Sequence, residues 1–238
     1  MSRKQLKANT HAISTLTIVL IIIIAVASVV AVVVAAVMLG FREPVVGSGI
    51  FDTEKKDLTD FTIVEVGWGF EVKISQSDSY SINIKADDNM FDYIEVSQTG
   101  DTLTIGLKWD YSYQNVTLKA EITMPDLHEL TLSGGTHGTA KEFTSSHDFD
   151  LSLSGGSTIS LEGAANDLTI SGSGGSHLYL SDFHVHDATV NLSGGSSATV
   201  NLDGRLDGDL SGGSHLKYVG NPTTVDVNTS GGSSVGPQ

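Results

Sequence analysis

Residues Leu151–Leu161 read LSLSGGSTISL, and this stretch decides the fold. Leu151 and Leu153 flank Ser152, Ser154-Gly155-Gly156-Ser157 interrupts, and then Ile159 and Leu161 flank Ser160. Period-two alternation marks a strand buried on one face, so two such strands meet at the Gly-Gly. The phrase returns along the chain, with the Ser of each SGG at 133, 154, 173, 193, 211 and 230. The steps are 21, 19, 20, 18 and 19 residues. A fixed period near 20 belongs to a solenoid, whose units bury their apolar faces only by stacking. The flanking pairs keep the pattern: Leu130/Leu132, Leu168/Ile170 and Val190/Leu192 precede the corner, and Leu178/Leu180, Ala198/Val200 and Leu216/Tyr218 follow it. A phosphate-binding loop occurs once per site and opens a helix, and no helix follows here. Gly-Gly at a repeated corner instead allows positive φ without a Cβ clash. The expected corner residues are Gly134, Gly135, Gly155, Gly156, Gly174, Gly175, Gly194, Gly195, Gly212, Gly213, Gly231 and Gly232. The third repeat, ISGSGGS, carries two extra residues and predicts a bulge or a wider corner. The fifth departs at Gly208, where a core side chain is expected.

Upstream, Ile13 to Leu39 is 27 residues without a charge. At ~1.5 Å per residue it makes ~40 Å of helix, enough to span a ~30 Å hydrocarbon core. Its length exceeds that of a cleaved signal, so an uncleaved signal-anchor is expected. Arg3, Lys4 and Lys7 precede it, so residues 1–12 are expected in the cytoplasm and the rest outside. The flank KANTHAIST also has the look of an archaeal pilin-type precursor, although His11 stands where a basic residue is usual. All 28 Asp and Glu lie beyond the apolar segment, with ten of the 13 Lys and Arg. Such an acidic domain argues against nucleic acid and against anionic headgroups. There is no Cys, hence no disulfide framework.

Residues 40–60 are polar, with Gly and Pro and no period, and read as a linker. Residues 61–129 read as N-terminal strands: FEVKIS (Phe70, Val72, Ile74), YSINIKA (Tyr80, Ile82, Ile84), TLTIGL (Leu103, Ile105, Leu107) and VTLKAEITM (Val116 to Met124). Turns at Asp87–Asn89 and Thr99–Asp101 separate them. Residues 130–238 hold the repeats, and no amphipathic helix follows the anchor.

From GFEVKISQSDSYSINIKADDN through YIEV and GDTLTIGLK to ITMPDLHELTLSGG, the chain resembles the auto-transporter adhesin, head GIN domain family, over roughly Phe61 to Pro237. The resemblance implies a right-handed parallel β-helix and an adhesin-like role, and it brings no catalytic residues. The fold expected is therefore all-β, a right-handed parallel β-helix of SGG coils after a single N-terminal transmembrane helix.

Several side chains invite a chemical reading. His137, His177 and His215 stand four residues after the Ser of alternate repeats, with Thr158, Ser197 and Ser234 between them. Rungs ~4.8 Å apart put these His ~9.6 Å apart, too far to share a metal, and a solvated face is expected. His184 and His186 in SDFHVHD share a face, with Asp182 and Asp187 as candidate carboxylates, but a third ligand has no evident source. Asp203, Asp207 and Asp209, with Gly204 and Gly208, suggest at most an isolated calcium loop, and an acidic loop is the simpler reading. Trp109, Tyr111 and Tyr113 alternate, and Trp68 is expected to join them, either as a binding stripe or as a cap. Asn115, Asn191 and Asn228 lie in glycosylation sequons. No Ser-His-Asp spacing is evident, so no enzyme, cofactor or metal is expected. The expectation is a membrane-anchored, extracytoplasmic module with an adhesive or scaffolding role and end-on self-association through uncovered rungs. A carbohydrate-binding or carbohydrate-cleaving domain and a pilin-like subunit are the alternatives.

Overall fold

The computed structural model describes residues 43–238, and the segment 13–39 with its expected anchor lies outside them. Among the described residues no helix is long and apolar enough to cross a membrane. Pro44–Gln238 form an all-β solenoid of two large facing sheets, with a small two-stranded sheet beside them. In each coil a strand of the first sheet turns at an SGG corner into a strand of the second. Glu129–Leu132, Phe149–Leu153, Leu168–Gly172, Ala188–Leu192, Arg205–Leu210 and Thr224–Thr229 stack in parallel on one side. His137–Thr144, Thr158–Ala164, His177–Val185, Ser197–Leu202, His215–Gly220 and Ser234–Pro237 stack on the other. In-register pairing puts like residues above one another: Leu130 on Leu151, Leu132 on Leu153, Ile159 on Leu178. These inward rows are buried and form one core from Phe61 to Leu216. Each fully buried Leu, Ile or Phe contributes roughly 1.5–3 kcal/mol of transfer free energy. The core thins at the last coil, where Val225 is 41% exposed, because among the described residues no further rung covers it.

The twelve corner glycines all have positive φ. The first of each pair is held twice, by φ and by close approach: a Cβ on Gly155 would lie 3.0 Å from the Gly134 nitrogen, and one on Gly174 3.0 Å from that of Gly155. The second of each pair, such as Gly156, is held by φ alone. The residue after each pair turns inward. Thr136, Ser157, Ser176, Ser196 and Ser214 are buried, and each hydroxyl donates to the carbonyl three residues back at 2.7–2.8 Å. That donation satisfies a carbonyl at the tight turn which the sheet ladders do not reach.

Several expectations need correction. The third repeat has no bulge or wider corner. Its Gly172 pairs in register with Leu153 and Leu192, and the Leu192 side chain occupies the space its Cβ would take. The register shifts lie on the opposite sheet, between Ala140 and Phe143, Ser160 and Glu162, and Leu180 and His184. Gly208 is a pinch, because a Cβ there would collide with the Val190 carbonyl. The repeat also begins earlier than its SGG phrase, among the N-terminal strands. Ile63–Val66 and Glu71–Gln76 are one more coil of the same stack, paired to Glu129–Leu132 and His137–Thr144. Its corner is Gly67-Trp68-Gly69-Phe70, with Trp68 at φ 66° in the place of the first glycine. Thr102–Leu107 and Leu118–Met124 add the next layer, and the antiparallel strands Ile94–Thr99, Ser81–Asp87 and Phe51–Lys56 close that end.

Residues 40–60 are not a free linker where they are described, since the compact unit begins at Pro44. Val45–Val46 pairs with Tyr113–Gln114, and Phe51–Lys56 is the edge strand on Ser81–Asp87. The triplet Asp87–Asn89 grips the segment between them. The buried Asp87 accepts from the Gly49 and Thr117 nitrogens at 2.7 Å each, Asp88 accepts from the Ser48 hydroxyl, and the Asn89 amide donates to the Val46 carbonyl.

Candidate functional site

The outer face of the first sheet carries a polar groove beside the corners. Thr131, Ser152, Ser171, Asn191 and Asp209 point outward in register on successive coils. Ser154, Ser173, Ser193 and Ser211, the first serine of each corner, form the second wall. Alternation places both rows: the residue before and the residue after an inward leucine must face solvent. The groove has a volume of about 470 Å³. Its floor is the run of strands at Leu153, Gly172 and Leu192, buried positions whose side chains turn into the core. A second recess of about 260 Å³ shares Thr131 and continues past Ser133 to Trp68. Here the indole lies over Gly106, where an added Cβ would come within 3.2 Å of the ring.

The four aromatic candidates do not share one strand face. Tyr113 alone is in a strand, and its ring packs edge-on against Trp68 at 6.5 Å and against Tyr93 at 6.0 Å. Tyr111 packs on Tyr93 at 4.9 Å. The Tyr113 hydroxyl donates to the Lys108 carbonyl, and burial pushes its pKa up to about 12. Trp109 stands on a turn, 83% exposed, while Trp68, which lines the recess, is 46% exposed. The alternation in KWDYSY misled because Trp109–Ser112 is a turn.

The histidine row lies on the other sheet. His137, Thr158, His177, Ser197, His215 and Ser234 pair in sequence, all facing out. The His177 and His215 Nδ1 atoms are each 2.8 Å from the hydroxyl of the next rung, Ser197 and Ser234. Asp203, Asp207 and Asp209 do not converge as a calcium loop would require. Asp207 pairs with Arg205, Asp209 accepts from Asn228 at 3.1 Å in the groove wall, and Asp203 goes to the histidines.

The edge opposite the SGG corners is rich in His and Asp. Asp203 comes from the next coil and lies between both members of the His-x-His pair, 2.9 Å from His186 and 3.5 Å from His184. The spacing in SDFHVHD held no hint of this partner. The hydrogen bond to Asp203, with Asp187 nearby, raises the His186 pKa above its ordinary value, and the same bond lowers that of Asp203. A raised histidine stabilises the fold below its unfolded pKa and loses that contribution as pH rises through the folded value. A depressed Asp does the reverse, so the pair is at full strength between ~4 and ~6.5. His186 should therefore titrate above an ordinary histidine by NMR, and Asp203→Asn should bring it down. A midpoint unchanged by that substitution would remove Asp203 as the cause. Asp126, His128 and His147 gather on the same edge, and sequence reading passed them over. The usable signal was the 19-residue interval from His128 to His147, one coil period, which aligns the two loops.

The described residues form an all-β solenoid with a hydroxyl-lined lateral groove beside its glycine corners, and comparison with known proteins gives its family. Residues 60–222 match the family described as "Putative auto-transporter adhesin, head GIN domain", and the chain belongs to it. Solved structures with this fold include a "putative adhesin" from Bacteroides fragilis NCTC 9343, 18% identical with TM-score 0.69, covering 82% of this chain and 100% of that one. A "putative adhesin" from Parabacteroides merdae ATCC 43184 is 19% identical with TM-score 0.54 and covers 83% and 100%. A "Putative lipid binding protein" from Parabacteroides distasonis ATCC 8503 is 17% identical with TM-score 0.51 and covers 82% and 100%. No match was found among curated proteins.

Proposed function

We propose that this protein is a non-catalytic adhesion module of the cell surface, held at the membrane by residues 13–39, and that it binds an extended carbohydrate chain along the groove from Ser211 to Trp68. The observation that carries the reading is the groove itself. Two rows of mostly hydroxyl and amide side chains, with Asp209 at one end and Glu65 at the other, run over successive coils to a half-open indole. Hydroxyls and amides match the donor and acceptor pattern of a sugar chain, and an aromatic face offers its rings a flat apolar platform at small entropic cost. Glycoside hydrolysis uses two carboxylates flanking one bond. The long part of the groove has Asp209 alone among the described residues, so binding is the reading there, while Glu65 and Glu95 both line the recess at the Trp68 end.

Trp68→Gly is the informative variant, because glycine fills the equivalent position in the six SGG corners and the corner keeps its conformation. In a glycan screen on residues 44–238, with whole-cell binding beside it, this change should weaken saccharide binding on the order of tenfold. Trp109→Ala, away from the groove, should leave binding unchanged. The reverse pattern would move the site to the exposed turn. For the anchor, protease added to intact cells should remove the solenoid, and protection while another surface protein is cut would refute the orientation.

A further inference from the structure

We propose that Asp126, His128 and His147 form a site for a borderline divalent transition metal, Zn²⁺ in the first instance, that staples two successive coils on the edge opposite the glycine corners. Asp126 and His128 lie in the loop between Leu118–Met124 and Glu129–Leu132, and His147 lies in the loop between His137–Thr144 and Phe149–Leu153. The stacking of coils brings the two loops together. One ligand atom from each residue lies within 4.8 Å of the other two. Both imidazoles aim Nε2 at the same carboxylate oxygen, Asp126 Oδ2, at 3.0 Å from His128 and 3.8 Å from His147. The rings stand 4.8 Å apart, inclined at 54°.

A tetrahedral zinc with bonds of ~2.0–2.2 Å sets its ligand atoms ~3.3–3.5 Å apart. Small side-chain rotations therefore close the set, and the fourth position faces solvent for a water. Two imidazoles and one carboxylate suit zinc, cobalt or nickel and not calcium or magnesium, which take oxygen donors. The backbones that carry the ligands are already fixed. The Leu127 nitrogen donates to Asp126 Oδ1 at 3.0 Å, and Leu127 is itself buried. The His128 nitrogen donates to the Thr62 carbonyl, the Asp150 nitrogen donates to the His128 carbonyl, and the Asn166 nitrogen donates to the His147 carbonyl. Such a site needs little ordering on binding. The His184–His186–Asp203 group is the competing candidate, and there Asp203 uses a different oxygen for each imidazole.

The test is titration of the metal-free full-length chain, in detergent micelles, with Zn²⁺ by calorimetry and with Co²⁺ by visible absorption. The expected result is one Zn²⁺ per chain, with the intense d–d bands of four- or five-coordinate cobalt. His147→Ala removes a side chain exposed over 61% of its surface and leaves the core untouched. It should weaken binding at least about tenfold and abolish the bands, with circular dichroism unchanged. Asp126→Asn should act the same way, and His184→Ala/His186→Ala should not. Absence of saturable binding, an unaltered His147→Ala titration, or loss confined to the His184/His186 variant would each overturn the proposal.

Discussion

Replacing Gly155 by valine should destabilise the solenoid by ~3 kcal/mol or more, whereas Gly156→Ala should cost only ~1–2 kcal/mol. The two glycines are neighbours with similar φ, 64° and 77°, yet only the first has the Gly134 nitrogen 3.0 Å from its missing Cβ. Valine there meets an unfavourable φ and an immovable backbone together. At Gly156 no atom lies within 4 Å, and only the φ strain remains. Ser157→Ala is the useful third variant, at ~1 kcal/mol, because it removes one buried hydroxyl donation to the Ser154 carbonyl. Denaturant melts of the three variants should keep that order. Equal losses at Gly155 and Gly156 would mean that the stacked corners relax around a side chain.

Asp87→Ala should cost ~3–5 kcal/mol, since each hydrogen bond to a buried charge is worth ~1.5–3 kcal/mol and both donors lose their partner. The carboxylate is 1% exposed and joins Gly49 to Thr117, two segments 68 residues apart that are otherwise linked through short strand pairings. The loss should be local first. Amides of Phe51–Lys56 should exchange faster than those of Leu130 or Ile159, because an edge strand opens without unstacking coils. Asp87→Asn keeps one acceptor and should fall between. An unchanged melt, with unchanged exchange in that strand, would show that strand pairing alone holds the segment.

Much of this architecture was legible in the chain because a solenoid repeats its instructions. Leu151, Leu153, Ile159 and Leu161 state the inward rows once, and later coils restate them. What escaped was whatever departs from the phrase while keeping its geometry. Gly67-Trp68-Gly69 makes the same corner as SGG, but a tryptophan at φ 66° does not read as a glycine. Gly172 reads as part of a longer corner and is instead an empty place in a leucine row, filled by Leu192. Asp87–Asn89 reads as a turn, and its work is to hold residues 38 to 43 positions earlier. The groove was implicit in the polar residues of the repeat. Its continuity was not, because it depends on the register that sets Ser152, Ser171, Asn191 and Asp209 side by side. The pairing of Asp203 with His184 and His186 needed the coil spacing to be known to within a residue.

The parallel stacking has a mechanical meaning. Backbone hydrogen bonds of the rungs run along the stack, and each rung is bonded only to the one before and the one after. A tether pulled from the Ser234–Pro237 end therefore loads one rung at a time and peels it, instead of shearing a whole sheet at once. Each released coil of about 19 residues pays out on the order of 65 Å of extended chain. The Phe51–Lys56 end is clamped by Asp87, so slack comes first from the far coils. A stack built this way yields in steps when pulled from the Ser234–Pro237 end, and the groove wall at Asp209 and Ser211 is among the first parts to come away.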